Sequence, residues 1–201
     1  MEQYPSITKT IQDLPIFAFD KLDGSNIRVE YSRKTGFQKF GTRHRLLDEN
    51  DERFGDAIPI FRETLEETLT KLFLKHRFEK ATAFLEYVGE NSFAGYHENE
   101  THKLVLFDIH VYKRGILPPK EFLRAVGDLV ETPAVLYVGK ANSHLVEAVK
   151  TSTLDGMTFE GVVCKGERKT RPVMFKLKSQ AWLDRLKGKC GEDERLYKEL
   201  M

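Results

Sequence analysis

Short segments rich in β-branched and aromatic residues recur along this chain, and they constrain its fold more than any other feature. Most alternate apolar with polar residues and are bounded by turn residues, a pattern typical of β-strands. Crossover helices do not separate them regularly, which argues against a doubly wound parallel sheet. The sequence therefore predicts an α+β fold of mixed, mostly antiparallel sheets with flanking helices. The predicted strands cover residues 16–21, 27–31, 37–40, 83–88, 104–111, 135–138, 158–164 and 173–177.

Apolar residues at helical spacing predict the flanking helices. The predicted helices cover residues 59–74, 118–129, 144–150 and 179–186, and Gly188 and Gly191 interrupt the helical tail that follows. No linker, repeat or low-complexity segment divides the 201 residues. We therefore expect a single domain over residues 1–201, with no separate C-terminal domain.

Composition limits the location and the partners of the protein. No apolar run approaches the roughly 18 residues that a bilayer crossing needs, and the N-terminus lacks the charged-then-apolar pattern of a secretion signal. The two cysteines, Cys164 and Cys190, are too few for a disulfide framework. We expect a soluble cytoplasmic protein without a membrane partner.

Positive charge is concentrated late in the sequence. The formal net charge is only +1, yet residues 161–190 contain nine Lys or Arg residues against only Glu167 and Asp184. A solvated basic face is one interpretation of this segment. A polyanionic partner, either nucleotide phosphates or a nucleic-acid backbone, is the other. The remaining motifs favour the second interpretation.

A Lys-x-Asp-Gly sequence, Lys21 to Gly24, joins the first two predicted strands tightly. A hairpin with a type I′ turn and an incidental lysine would explain it. Alternatively, the end of the strand presents Lys21 as a nucleophile to a phosphate. A free lysine has a pKa of about 10.4 and is protonated at neutral pH, so this nucleophile needs nearby cations or a metal ion to favour its neutral amine.

Two later lysines are candidates for those cations. Lys176 and Lys178 alternate with apolar residues in a predicted strand, which places both on the same face. Lysines on an edge strand that face water, a common protection against aggregation, are one interpretation. The other is a pair of cations that neutralise a triphosphate and its departing pyrophosphate.

Two carboxylates also interrupt predicted strands. Glu160 precedes Gly161 and an apolar run, where it either faces solvent in a hairpin or holds Mg²⁺, with the glycine allowing a ligand to approach. Glu86 lies in an aromatic strand, where it is either a surface residue or accepts a hydrogen bond from a ribose hydroxyl.

The order of these elements is more specific than any one of them. It resembles the motif series of the covalent nucleotidyltransferases, a superfamily of ATP-dependent DNA ligases, RNA ligases and mRNA capping enzymes. The match covers nearly the whole chain and implies a ligase-type nucleotidyltransferase (adenylation) domain. The series runs Lys21-x-Asp23-Gly24, Thr42-Arg43, Glu86, Phe107-Asp108, Glu160-Gly161 and Lys176-x-Lys178.

The resemblance implies chemical roles for four residues. Lys21 would be the residue that becomes adenylated. Glu160 would help to position a metal ion, Mg²⁺ or Mn²⁺. Lys176 and Lys178 would hold the α-phosphate of ATP and activate the reaction.

It also implies roles in recognition. Arg43 and Glu86 would contact the ribose, and Phe107 would stack on adenine. Without the resemblance, the apolar run 104–109 favours a core residue at Phe107 instead. Asn26 would bind a nucleic-acid end or its phosphate, the alternative being a turn asparagine that bonds its own backbone. DNA ligases and capping enzymes usually carry arginine at this position, so Asn26 is similar to the RNA ligase 2-type pattern that kinetoplastid editing ligases share.

The function that the resemblance implies is an ATP-dependent RNA ligase with a role in RNA repair. Its substrates would be ATP and a nucleic acid, RNA by preference, with 5′-phosphate and 3′-hydroxyl ends. A minimal ATP-dependent DNA ligase, a capping-type guanylyltransferase and a non-catalytic nucleotide- or RNA-binding module are the alternatives. Ligases typically append a second domain after the paired lysines, so we expect a minimal ligase, a missing C-terminal domain or a partner protein.

Overall fold

The computed structural model describes residues 1–90, 97, 99–168 and 171–200. Lys169, a member of the predicted basic segment, lies outside the described residues. The strands are β1 (Pro15–Asp20), β2 (Ser25–Ser32), β3 (Gly36–Thr42), β4 (Leu46–Leu47), β5 (Lys80–Val88), β6 (Lys103–Val111), β7 (Gly115–Ile116), β8 (Val135–Lys140), β9 (Gly161–Arg168) and β10 (Arg171–Lys178). The helices are α1 (Ala57–Thr64), α2 (Glu66–Lys75), α3 (Pro119–Val126), α4 (Ser143–Lys150), α5 (Gln180–Cys190) and α6 (Glu194–Leu200).

The chain folds into two compact units, and the first is built on a six-stranded antiparallel sheet. Its strand order is β4-β3-β2-β5-β6-β7. Alternation in β2 turns Ile27, Val29 and Tyr31 towards a large aromatic core shared with α1, α2 and α3. The opposite face therefore carries the intervening polar residues. Unit 1 comprises Met1–Ser6, Ser25–Gly89 and Glu100–Thr132.

The second unit is built on a four-stranded antiparallel sheet with the order β10-β9-β1-β8. Leu145 and Val149 of α4 cover one face of this sheet. A separate small cluster, formed by Trp182, Leu186 and Cys190 of α5, packs against α6. Unit 2 comprises Ile7–Gly24, Glu90–Asn99 and Pro133–Met201.

This architecture confirms the predicted fold class, but it corrects several local expectations. The tight hairpin across the Lys-x-Asp-Gly sequence is wrong, because β1 pairs with β8 and β9 while β2 pairs with β3 and β5. The helix predicted over residues 59–74 is two helices, separated at Leu65, whose backbone angles (φ −126°, ψ −30°) leave the helical region.

Two boundaries also move. The strand predicted from residue 158 begins at Gly161, since Phe159 and Glu160 lie in a bend rather than in a strand ladder. Helix α5 runs through Gly188 and ends at Cys190, and Gly191 caps it in a left-handed conformation with φ +56°. No helix in the described part of the chain combines the length and the apolar character needed to cross a membrane.

Candidate active site

Three charged side chains of unit 2 contact one another and form what we name the lysine site: Lys21, Glu160 and Lys178. The Oε2 atom of Glu160 lies 2.8 Å from Lys21 Nζ, and its Oε1 atom lies 2.8 Å from Lys178 Nζ. The Glu160 side chain is 4% exposed, Lys178 8% and Lys21 22%. A buried carboxylate thus bridges two ammonium groups, one for each oxygen.

Backbone contacts bring these three residues together. The Lys21 amide donates to the Gly161 carbonyl over 2.9 Å, which fixes the nucleophile candidate beside the start of β9. Gly161 has φ +138°, and a Cβ atom there would lie 2.1 Å from the Leu177 carbonyl oxygen. A side chain at this position would therefore collide with β10, which carries Lys178 to Glu160. That the glycine also allows a ligand to approach stays a prediction.

Lys178 is a buried ammonium group with several close contacts. Its pKa is lowered to about 8, chiefly by burial; Glu160 opposes this shift, and the positive charges of Lys21 and Lys176 add to it. Its ammonium group also donates to the Leu200 carbonyl over 3.1 Å and lies 3.5 Å from the centre of the Trp182 ring. Lys178 thus remains a cation at neutral pH only by the balance of these contacts.

Lys176 lies on the same face of β10 as Lys178, as the alternation predicts. It is half-buried, and its amide donates to the Thr8 carbonyl over 2.9 Å. β10 is an edge strand of its sheet, as one interpretation of the two lysines predicted. Lys178, however, is far too buried to be a lysine that only faces water.

Asp20 is a buried acid beside the site that the sequence did not single out. It is 4% exposed and accepts a hydrogen bond from the Thr158 amide over 3.1 Å. Burial raises its pKa, as does Glu160, whereas Lys21 and the Thr158 hydrogen bond lower it. An acid that ends an apolar strand immediately before a candidate nucleophile is the signal that could have identified it.

Glu160 could hold a metal ion only together with ligands that the protein itself does not supply. Among the described residues, no group of three or more His, Cys, Asp or Glu side chains could hold a metal ion. Both oxygens of Glu160 are engaged by ammonium groups. Mg²⁺ commonly binds one or two carboxylates together with substrate phosphates and water. Glu160 therefore fits a metal ion that accompanies a nucleotide, once an ammonium group has left it.

In unit 1, the polar face of the sheet carries the residues predicted to recognise the nucleotide. Asn26 of β2 lies directly opposite Glu86 of β5 in the strand register. Asn26 is consequently a strand residue, and its interpretation as a turn asparagine is wrong. Its Oδ1 atom is buried and has no hydrogen-bond partner among the described residues, and the same is true of Arg28 Nε. Such atoms normally find a partner.

Phe107 lies in an irregularity of the β5–β6 ladder. Phe84 pairs with Asp108 and Leu85 with Leu106, so Phe107 is the extra residue. It is half-buried and lies outside the aromatic core of unit 1. Phe107 is therefore not part of that core, and its role in stacking on adenine stays a prediction.

Tyr4 supports this ring and was not identified from the sequence. Its ring lies edge-on to Phe84 and Phe107, with centroids 5.0 Å apart in both pairs. Its hydroxyl donates to Asp108 Oδ2, and burial raises its pKa, followed by the effect of the Asp108 charge. An isolated tyrosine near the N-terminus carries no local signal of this contact.

Arg43 is exposed and follows β3, where the register pairs Thr42 with Ile27. Arg43 therefore lies one residue beyond that pair, towards Asn26 in the neighbouring strand. Its Nη2 atom donates to Ser6 Oγ over 3.2 Å. The structure thus assembles the predicted residues into two groups, one on the sheet face of unit 1 and one in the lysine site of unit 2.

The architecture is that of the nucleotidyltransferase domain of solved RNA ligases. One structure of an archaeal ATP-dependent RNA ligase (form 1) has a TM-score of 0.72 and 17% identity, over 100% of this chain and 56% of that one. A second (form 2) has a TM-score of 0.71 and 17% identity, over 94% and 52%. The Naegleria gruberi RNA ligase with PPi has a TM-score of 0.67 and 17% identity, over 94% and 58%.

Residues 14–178 match the RNA ligase family, and the chain belongs to that family. It spans a little over half the length of the solved RNA ligases it resembles. No curated protein sequence matches it closely enough to count as a relative.

Proposed function

We propose that the chain carries out the nucleotidyl-transfer chemistry of an ATP-dependent RNA ligase, with Lys21 as the residue that becomes bonded to AMP. The observation that carries this proposal is the bridge of Glu160 between Lys21 and Lys178, at 2.8 Å to each. It connects three widely separated motifs of a family whose match covers residues 14–178. An incidental lysine after a strand would not need a buried carboxylate.

In the first step, the neutral amine of Lys21 attacks the α-phosphorus of ATP. A nitrogen–phosphorus bond forms, the bond to the β-phosphate oxygen breaks, and pyrophosphate leaves with its electron pair. The amine proton passes to solvent. Lys176 and Lys178 supply positive charge for the α-phosphate and for the departing pyrophosphate.

Glu160 would have two partners in succession. Without nucleotide its carboxylate favours the ammonium form of Lys21, which cannot attack. A divalent metal ion held by Glu160 and the nucleotide phosphates, when bound, would neutralise charge on the leaving pyrophosphate. Glu160 would then release Lys21, whose neutral amine the neighbouring cations favour.

The sheet face of unit 1 would recognise the nucleoside. Phe107 supplies an aromatic surface for adenine, while Glu86 and Arg43 offer an acceptor and a donor for the ribose hydroxyls. Asn26 offers a buried oxygen that lacks a hydrogen-bond partner among the described residues. A ligand that donates to this atom would gain a hydrogen bond at no cost to the protein.

In later steps, AMP would move to a 5′-phosphate end, and a 3′-hydroxyl would displace it to seal the strand. Asn26 favours RNA as the strand, as do the solved RNA ligases that share the fold. The lysines and arginines of α5 supply positive charge for a phosphate backbone. Sealing would require a further domain or a partner protein if the first step alone is observed.

The direct test is incubation of the protein with α-labelled ATP and Mg²⁺ or Mn²⁺, followed by denaturing electrophoresis and mapping of the labelled residue. We expect label on Lys21, release of pyrophosphate, and no label on Lys21→Ala. Label from GTP instead of ATP would indicate a guanylyltransferase. The absence of any label, with nucleotide still bound, would indicate a non-catalytic module.

A second experiment identifies the strand. The labelled protein is mixed with nicked duplexes whose 5′-phosphate and 3′-hydroxyl strands are RNA, DNA or one of each. Transfer of AMP to RNA ends at a higher rate supports an RNA ligase. Preference for the all-DNA nick would favour a minimal DNA ligase and overturn the assignment based on Asn26.

A further inference from the structure

The first turn of α5 is attached to the lysine site, although it lies beyond the residues that match the family. The Ser179 amide donates to the Glu160 carbonyl over 3.0 Å, and Ser179 Oγ donates to the Phe159 carbonyl over 2.7 Å. Ser179 Oγ also accepts from the Trp182 amide over 3.1 Å, which caps the helix. The start of α5 is therefore fixed on the segment that carries Glu160.

From this turn, Trp182 contacts two other segments of the site. Side chains in a helix point back towards its N-terminus, so the indole of Trp182 reaches Lys178. The Lys178 ammonium lies 3.5 Å from the centre of the ring. On its edge, Trp182 Nε1 donates to Asp23 Oδ1 over 3.3 Å. Asp23 belongs to the segment Lys21–Gly24, which connects β1 to β2.

A tryptophan that only fills a core would not need these contacts. Trp182 is 4% exposed and packs with Leu186 and Cys190, which is typical of a core residue. Its ring face, however, contacts Lys178, and its N–H group contacts Asp23, two residues after Lys21. A cation on a tryptophan face is the strongest arrangement of this kind, and it is strongest where water is excluded, as around Lys178.

We propose that Trp182 is a positioning residue of the lysine site: its ring holds the Lys178 ammonium while its N–H group holds the segment Lys21–Gly24. It thereby sets the separation between the nucleophile and the cation that receives the α-phosphate. This inference rests on the proposed function and extends the site to a helix outside the family match. Glu160 and the Leu200 carbonyl complete the surroundings of the ammonium group.

The kinetic test compares Trp182→Leu, which removes both contacts, with Trp182→Phe, which keeps an aromatic face. Single-turnover labelling by ATP is measured over a range of ATP concentrations. We expect Trp182→Leu to lower the rate at saturating ATP about 5- to 30-fold, the equivalent of one cation–π contact. The KM for ATP should change less than about threefold, and Trp182→Phe should recover most of the rate.

Leu183→Ala is the matched control, because Leu183 packs against the same cluster and its aliphatic side chain can supply neither a hydrogen bond nor an aromatic face. An equal loss of rate in this variant, or an unchanged rate in Trp182→Leu, would overturn the positioning role. Thermal unfolding of the variants checks that each is folded at the assay temperature.

A fluorescence test does not depend on catalysis. Trp182 is the single tryptophan of the chain, so tryptophan emission reports the surroundings of this one ring. We expect Lys178→Met to shift the emission of the nucleotide-free protein, and pyrophosphate to shift that of the wild type. Identical spectra for Lys178→Met and wild type would overturn the contact. If the wild type takes no label from ATP, the proposed function fails, while these spectra still decide the role of Trp182.

Discussion

The charged groups of the candidate site in unit 2 are bonded to one another, whereas the polar face of unit 1 keeps buried atoms for which the described residues offer no partner. Glu160 satisfies Lys21 and Lys178 through its two oxygens. Asn26 Oδ1 and Arg28 Nε, by contrast, lack hydrogen-bond partners among the described residues. The two groups of residues thus differ in how their buried polar atoms are paired.

The difference has a physical reason. Isolated buried charges are far more costly than an unpaired neutral atom such as Asn26 Oδ1, so the two ammonium groups of the lysine site need the Glu160 carboxylate between them. The face of unit 1 can leave an amide oxygen unpaired at a cost of only about 1–3 kcal/mol. We expect substitutions in unit 2 to affect stability and chemistry together, and those on the face of unit 1 to affect binding alone.

The largest effect should follow Glu160→Gln. This change leaves two ammonium groups without their shared anion, so the free energy of unfolding should fall by about 2–4 kcal/mol. The rate of labelling by ATP should fall by at least about 100-fold. Urea unfolding and single-turnover labelling measure the two effects. The control is Glu167→Gln, at an exposed carboxylate of β9, which should change neither the stability nor the rate. If Glu160→Gln is as stable as the wild type, the proposed difference between the units is wrong.

Phe107→Leu should weaken ATP binding while leaving the fold intact. Loss of an aromatic surface under a base costs about 1–3 kcal/mol, which corresponds to a rise in Kd of about 5- to 150-fold. Equilibrium binding and thermal unfolding separate the two effects. Phe54→Leu is the control, since Phe54 packs on the core of unit 1. If Phe54→Leu weakens ATP binding as much, Phe107 does not have the proposed role.

The pH dependence of stability should identify Lys178. Burial lowers its pKa to about 8, from an ordinary value of 10.5. Between these pH values, the unfolded chain keeps a proton that the folded chain has lost. The stability of the wild type relative to Lys178→Met should therefore rise from pH 8 to pH 10.5, by about 1–3 kcal/mol in total. Urea unfolding of both proteins across this range measures it, and a relative stability that falls as pH rises would contradict the burial of a charged Lys178.

The smallest effect should follow Asn26→Ala. This change removes no hydrogen bond of Oδ1 to the described residues, so the free energy of unfolding should change by less than about 1 kcal/mol. Transfer of AMP to RNA ends should nevertheless slow. In the control, Asn142→Ala, the cap of α4 loses the bond that its Oδ1 accepts from the Leu145 amide over 2.8 Å. This control should lose about 1 kcal/mol and keep its activity; the reverse order of stabilities would show that Asn26 has a structural role.

Much of the candidate site followed from short-range patterns. Alternation placed Lys176 and Lys178 on one face of a strand, and the ordered motifs singled out Lys21 and Glu160. The placement of Lys176 and Lys178 is confirmed, because side-chain direction along a strand is fixed by the backbone within a few residues. The roles of Lys21 and Glu160 stay predictions, although the structure does bring the two side chains together. The helix boundaries were less accurate, since the break at Leu65 depends on packing rather than on composition.

What the sequence determined by itself was therefore the class of fold, the order of the motifs and the faces on which their side chains lie. Only the tertiary structure decided which strands pair. It alone also showed that each oxygen of Glu160 contacts one lysine and that the Trp182 ring contacts the Lys178 ammonium. Strand pairing and burial join residues more than a hundred positions apart, as in the contact between Lys21 and Glu160. Such contacts depend on the packing of the whole unit, which no local pattern contains.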